Sequence, residues 1–222
     1  KILAHGGDWA VEDLYMGKVV APKVRELVVI PTTCGTGSEM TNVAVSALVK
    51  QNTKKGLALD SMYPDRAILI PEMVKTLPYK FFATSSIDAM IHAAEAAGHT
   101  VYIAAAYRTY SYQTQMFNAK ASQLAGDIDY MDPRYQQYAE KAKSIVMYPG
   151  SSEHQLGLAV DIMDRQYRTL IYENMDQELF AWLDEHCAEY GFIKRYPTRK
   201  LLLTGWDEPW HYRYVGVEAA TY

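Results

Sequence analysis

The first readable pattern lies at residues 26–31, E-L-V-V-I-P, a short apolar run closed by proline that predicts a buried strand. A turn is expected next, because residues 32–39, T-T-C-G-T-G-S-E, combine two glycines with several hydroxyls, and backbone amides in such a loop can approach a phosphate closely. Residues 67–70 form a second apolar run predicting a buried strand, and Pro71 suits the first turn of a helix in P-E-M-V-K-T-L. Residues 85–97 then read as a helix with Ser86 as N-cap, Ile87, Met90, Ile91 and Ala94 on one face, and Gly98 just past its end. The order strand, loop, strand, helix is that of α/β material. From Val101 the pattern V-Y-I-A-A-A-Y reads as a strand, and residues 108–117 as a polar turn entering a helix. The clearest alternation comes at residues 157–162, where Leu158, Val160 and Ile162 share one face and Gly157, Ala159 and Asp161 the other.

With 222 residues, 49% hydrophobic and 22% charged, the chain has ordinary globular composition and length for one large or two small domains, which excludes a disordered chain. A formal net charge of −4 gives no electrostatic footprint for nucleic acid or an anionic membrane surface. No apolar run approaches the ~20 residues of a membrane span, and residues 1–8 lack the apolar stretch of a signal peptide. Cys34 and Cys187 stand in unrelated contexts and read as free buried thiols, not as a disulfide framework or a cysteine-rich zinc site. The 18 tyrosines concentrate after Tyr102, whereas the first half is rich in Val, Thr, Lys and Met, so the two halves differ in character.

The alternating segment has chemical content. Its second face offers small residues and one carboxylate, as a metal pocket requires: the apolar face anchors the strand while Gly157 and Ala159 leave room beside Asp161. His154 supplies an imidazole to the same ion if the chain bends at the strand entrance. Near the end, T-G-W-D-E-P-W-H-Y-R-Y-V-G at residues 204–216 separates Glu208 from His211 by Pro209 and Trp210, a rigid, bulky pair that fixes their spacing. His154, Asp161 and His211 make a three-ligand site with a fourth position for water. Glu208 is the candidate to accept that water's proton. Glu153 reads as a solvated neighbour, His99 and His186 as turn and helix-surface residues, His5 as an exposed loop residue, and Tyr107, Tyr110 and Tyr112 as core and rim packing.

These residues resemble the VanY-like carboxypeptidases that trim bacterial cell-wall stem peptides. The family pattern S-x-H-x-x-G-x-A-x-D falls on Ser152, His154, Gly157, Ala159 and Asp161, and its E-P-W-H-Y-R-Y-V-G runs intact from Glu208 to Gly216. The match extends through Y-R-T-Y-S-Y-Q at residues 107–113 and Y-G-F-I-K-R-Y-P at residues 190–197. Where the family has Ser-Gly before its Tyr-Arg and Ser after it, Ala105, Ala106 and Thr109 stand here. The resemblance implies bound Zn2+, Arg108 polarising the scissile carbonyl or its oxyanion, Gln113 and Ser152 lining the substrate cleft, and a peptidoglycan stem peptide losing its C-terminal D-alanine. It leaves open whether a D,D or an L,D bond is cut, and it implies work in the cell envelope or outside the cell.

A second resemblance covers residues 1–95. P-T-T-C-G-T-G-S-E at residues 31–39, M-Y-P-D at residues 62–65 and S-S-I-D-A-M-I-H-A at residues 85–93 are similar to the central part of an iron-containing alcohol dehydrogenase. That likeness implies that Thr32, Thr33 and Ser38 descend from cofactor contacts, and Asp88 and His92 from two metal ligands four apart on one helix face. The family's pyrophosphate motif and its other two metal histidines have no counterpart here, so Asp88 and His92 are expected to be solvated or structurally hydrogen-bonded. The combined expectation is an α+β chain: an α/β dehydrogenase-like fragment over residues 1–95, then a zinc D-Ala-D-Ala carboxypeptidase-like (hedgehog/DD-peptidase-like) domain over residues 96–222. Helix 86–97 stands at the junction of what reads as a fusion. The alternatives are an iron- and NAD-dependent alcohol dehydrogenase, disfavoured by the missing motif and ligands, and a non-catalytic cell-wall peptide-binding module, disfavoured by the intact Glu208.

Overall fold

The computed structural model describes residues 10–20, 22 and 25–222, so the expectations for His5 and for residues 1–8 lie outside the described residues. The chain divides into two compact units, Lys1–Leu77 and Pro78–Tyr222. The first carries a short helix α1 (Val11–Tyr15), a parallel pair β1 (Val28–Val29) with β4 (Arg66–Ala67), and an antiparallel hairpin of β2 (Val43–Leu48) with β3 (Thr53–Ala58). The carboxylate of Asp65 accepts the Leu27 backbone N–H at 2.8 Å and pins the parallel pair. Asn52, in the left-handed region at φ 47°, turns the hairpin.

The apolar runs of residues 26–31 and 67–70 are only partly strand and are not buried: Val28, Ile30, Ile68 and Leu69 are all exposed. Two-stranded pairs cannot cover both of their faces. Pro71 does open a helical turn, of 3-10 type, at Pro71–Val74.

The second unit is a four-stranded antiparallel sheet ordered β5-β6-β8-β7, with β5 (Tyr102–Ala105), β6 (Ala159–Met163), β7 (Phe192–Tyr196) and β8 (Glu208–Tyr214). Its helices are α2 (Tyr79–Ala96), α3 (Tyr110–Ala125), α4 (Tyr135–Ala142), α5 (Gln177–His186) and the short α6 (Leu201–Thr204) and α7 (Val217–Thr221). Helix α2 begins one residue after Pro78, well before the expected start, and Ser86 is buried inside it instead of capping it. Its end is as the pattern predicts, with Gly98 at φ 96° just beyond Ala97. Met90 and Ala94 are fully buried against Val160, Ile162, Leu179, Phe180 and Tyr212, each large apolar side chain contributing about 1.5–3 kcal/mol on burial. This packing places α2 in the second unit, so the break falls at Leu77/Pro78, upstream of the 95/96 boundary expected from the motifs.

Side-chain caps fix the helices beside the sheet. Thr109 accepts the Tyr112 N–H at the start of α3, and Asp176 accepts those of Glu178 and Leu179 at the start of α5. Phe117 and Ala121 of α3 meet Ala142 of α4 in a second, smaller apolar cluster. Cys187 is buried and its thiol is pushed up to about 11 by burial, whereas Cys34 is only half-buried; both are free thiols. Among the described residues no helix is long and apolar enough to cross a membrane.

Candidate metal centre

Strand β6 is buried along its whole length, and its alternation holds as read: Val160 and Ile162 enter the core while Asp161 turns to the opposite side. Register then assembles the site, since Asp161 pairs with His211 on β8 and with Ala105 on β5. The 3-10 turn Glu153–Leu156, just before β6, brings in His154, the chain bending there as the site requires. His154, Asp161 and His211 are all buried, and one ligating atom from each lies within 4.8 Å of the others.

The hydrogen bonds decide which imidazole nitrogen faces the centre. His154 Nδ1 lies 2.8 Å from the Ala106 carbonyl, which can only accept, so Nδ1 carries the proton and Nε2 points at Asp161 Oδ2, 3.3 Å away. Because this acceptor is backbone, the Ala106 departure from the family pattern leaves it intact. His211 is oriented the other way round, with Nε2 3.2 Å from Glu153 Oε2 and Nδ1 2.9 Å from Asp161 Oδ1. Burial alone would lower the His211 pKa, but hydrogen bonds to Asp161 and Glu153 raise it to about 9. Burial likewise opposes the Asp161 charge, yet hydrogen bonds from His154 and His211 hold its carboxyl near 2. A proton and a metal ion are thus alternative occupants of the Nδ1 lone pair facing Asp161.

Two imidazoles and a carboxylate converging from three elements suit a divalent metal of zinc type. Arg108 donates from Nη2 to Asp161 Oδ2 at 3.2 Å, and its backbone N–H donates to the His154 carbonyl. Glu208 Oε2 stands 3.9 Å from His211 Nδ1, on the metal side of that ring and outside hydrogen-bond range. Burial pushes the Glu208 carboxyl up, against the pull of His211 and with Asp161 adding to the rise. A regular strand would turn Glu208 and His211 to opposite faces. The pairing slips between Lys194↔Tyr212 and Tyr196↔Glu208, and this irregularity re-aims Glu208 toward its histidine.

These groups line a cavity of about 160 Å³ together with Ser152, Trp206 and Trp210. Gln113 is placed apart from them: it is fully buried, is not among the lining residues, and donates from Nε2 to the carbonyl of Met147, a residue that does line the cavity. Tyr107, Tyr110 and Tyr112 are exposed, so none packs in the core. Glu153, read from the sequence as solvated, instead accepts from His211 and from Arg195 Nε at 3.2 Å, with Arg213 at 3.8 Å. Burial raises its pKa, but the hydrogen bond from His211, the charge of Arg213 and the hydrogen bond from Arg195 outweigh it and the net shift is downward. The one sequence signal for Glu153 was adjacency to His154. Asp88 is half-buried and His92 exposed, 3.7 Å apart, with Glu95 3.5 Å from the same ring. Among the described residues, the cluster suited to a metal is that of His154, Asp161 and His211.

Three converging ligands, a carboxylate beside them and an arginine on the same wall form the donor set of a mononuclear metallohydrolase. Residues 80–217 match the family model "D-alanyl-D-alanine carboxypeptidase" (VanY), and the chain belongs to that family. Residues 1–71 match the model for iron-containing alcohol dehydrogenases. A D-alanyl-D-alanine carboxypeptidase of Enterococcus faecalis is 42% identical over 136 residues, 60% of this chain and 46% of that protein. A 4-hydroxybutyrate dehydrogenase of Clostridium kluyveri is 52% identical over 112 residues, 50% of this chain and 28% of that protein. The chain therefore spans less than half of either relative. A crystal structure of a mutant of the vancomycin-resistance D,D-pentapeptidase VanY, from a VanB-type resistance cassette and in complex with Zn(II), aligns with a TM-score of 0.50 at 38% identity, covering 63% of this chain and 74% of that one.

Proposed function

We propose that the unit Pro78–Tyr222 is a zinc carboxypeptidase that removes a C-terminal D-alanine from peptidoglycan stem peptides. The observation that carries this reading is the convergence of His154 Nε2, the Asp161 carboxylate and His211 Nδ1 in one cavity with Glu208 and Arg108. Membership of the VanY family and likeness to a zinc-containing structure support it. His154, Asp161 and His211 would hold the ion. Zinc bound there supplies a water of lowered pKa and a Lewis acid for the scissile carbonyl.

The chain's own residues do the rest. Glu208, whose burial favours a shared proton, accepts one from the attacking water and returns it to the leaving amine of D-alanine. Arg108, steadied by Asp161, meets the carbonyl oxygen as it gains charge. Ser152 stands at the cleft wall to meet the peptide, and Gln113 acts from behind it by holding the Met147 carbonyl. The substrate places this work at the cell wall. Mass spectrometry of a synthetic pentapeptide stem and its tetrapeptide, incubated with the zinc-loaded chain, tests the proposal. Loss of one terminal D-alanine supports it, and which of the two is cut separates D,D from L,D action. Cleavage confined to internal bonds of ordinary L-peptides would refute it.

A further inference from the structure

A metal-binding imidazole must present a deprotonated nitrogen, so its other nitrogen carries the proton and needs an acceptor. His154 meets this need with the backbone carbonyl of Ala106, which no side-chain substitution removes. His211 meets it with a side chain, Glu153, 58 residues away in sequence. Both Glu153 oxygens are engaged: Oε2 takes His211 Nε2, and Oε1 takes Arg195 Nε at 3.2 Å with Arg213 Nη1 at 3.8 Å. Besides Asp161 at Nδ1, two glutamates therefore flank the same imidazole on different sides. Glu208 stands near Nδ1, where the ion belongs, while Glu153 stands at Nε2, where it cannot ligate an ion held by Nδ1. Glu153 also precedes His154 in the same 3-10 turn, so that one turn supplies a ligand and the acceptor that orients the other histidine.

We infer that Glu153 is a positioning residue: clamped by Arg195, it fixes His211 in the tautomer and ring orientation whose Nδ1 faces Asp161. The inference rests on the metal reading of the site given above. It is tested on the whole chain by titrating Zn2+ against a chromophoric chelator, and by following the His211 Nε2–H proton resonance in the zinc-loaded protein. Glu153→Ala is expected to weaken zinc binding by about 10- to 100-fold, the usual effect of losing such a partner. Its Nε2–H resonance should move upfield and exchange rapidly with solvent. Glu153→Gln, which keeps an acceptor oxygen and the same shape, should lose less affinity and remain folded if the alanine variant does not. Melting of the metal-free variants separates positioning from bulk stability, because positioning predicts a larger change in zinc affinity than in metal-free melting. A wild type that binds zinc, with variants that match it in affinity and in the Nε2–H resonance, overturns the role of Glu153 alone. A wild type that takes up no zinc overturns the metal reading and this role with it.

Discussion

Gly191→Ala is the substitution whose cost can be worked most directly from the geometry. Gly191 follows the 3-10 turn Cys187–Tyr190 at φ 80°, a left-handed conformation that costs a residue bearing a Cβ roughly 1–2 kcal/mol. The new Cβ would stand 2.8 Å from Tyr214 Cε2 and 3.0 Å from both the Gly216 carbonyl carbon and the Val217 nitrogen. A ring edge can shift, but Tyr214 is only 3% exposed and packed on Tyr79 and Phe192, and the backbone beside it is tied down by Val215 and Gly216 N–H groups donating to the Gly191 carbonyl. Overpacking of this kind costs about 1–3 kcal/mol. Together the two effects come to about 2–5 kcal/mol. At roughly 2–4 °C per kcal/mol for a unit of this size, the melting midpoint should fall by about 4–20 °C. Because Tyr214 ends the strand that carries Glu208 and His211, zinc affinity should fall as well. Thermal melting by circular dichroism, with and without zinc, is the assay. A midpoint within about 1 °C of wild type would refute the clash and the claim that the end of β8 is rigid.

Three further outcomes are expected. Glu208→Gln should keep the fold and the zinc while turnover falls about 10²- to 10⁴-fold, measured as D-alanine release; loss of zinc instead would make Glu208 a ligand. A His154→Ala, His211→Ala double variant that stays folded should contain no zinc by elemental analysis, and unchanged content would move the site elsewhere. In chelated protein the raised His211 pKa contributes stability that is complete below its unfolded value of ~6.5. That stability is lost as pH rises through about 9, so melting should fall across this window, and a midpoint that is flat or rises there would refute the pairing with Asp161 and Glu153.

Much of the site could be read in the sequence because its spacing is local. The alternation of Val160 and Ile162 against Asp161 is a property of one strand, and Pro209 with Trp210 marks Glu208 and His211 as a unit. The Glu208–His211 approach itself depends on a slip in pairing with β7, which no local pattern encodes. The same limit hid Glu153, whose partners Arg195, His211 and Arg213 lie 42 to 60 residues downstream and meet it only through the sheet. Gln113 is expected at the cleft wall on the family resemblance alone, and the facing of α3 turns it inward to a backbone carbonyl. In the first unit, β1 falls inside its expected run and β4 meets its run only at Ala67, and both runs read as buried in the sequence, since an apolar run reports the burial a segment is suited to and not what is at hand to cover it.

Helix α2 shows why two families can be legible in one short stretch. The residues that tie it to the dehydrogenase motif, Asp88 and His92, lie four apart, and His92 is exposed with both neighbouring carboxylates beside it. The residues that dock it under β6, Met90 and Ala94, lie four apart and are fully buried. A helix presents such interleaved sets on different faces, so the Asp88 and His92 pair can stand in the same stretch as a set that serves the core. Only the second set has partners that bury it within Pro78–Tyr222, and every residue of the described metal centre also lies in that unit. The structural allegiance of α2 follows from its apolar side, where the free energy of packing lies.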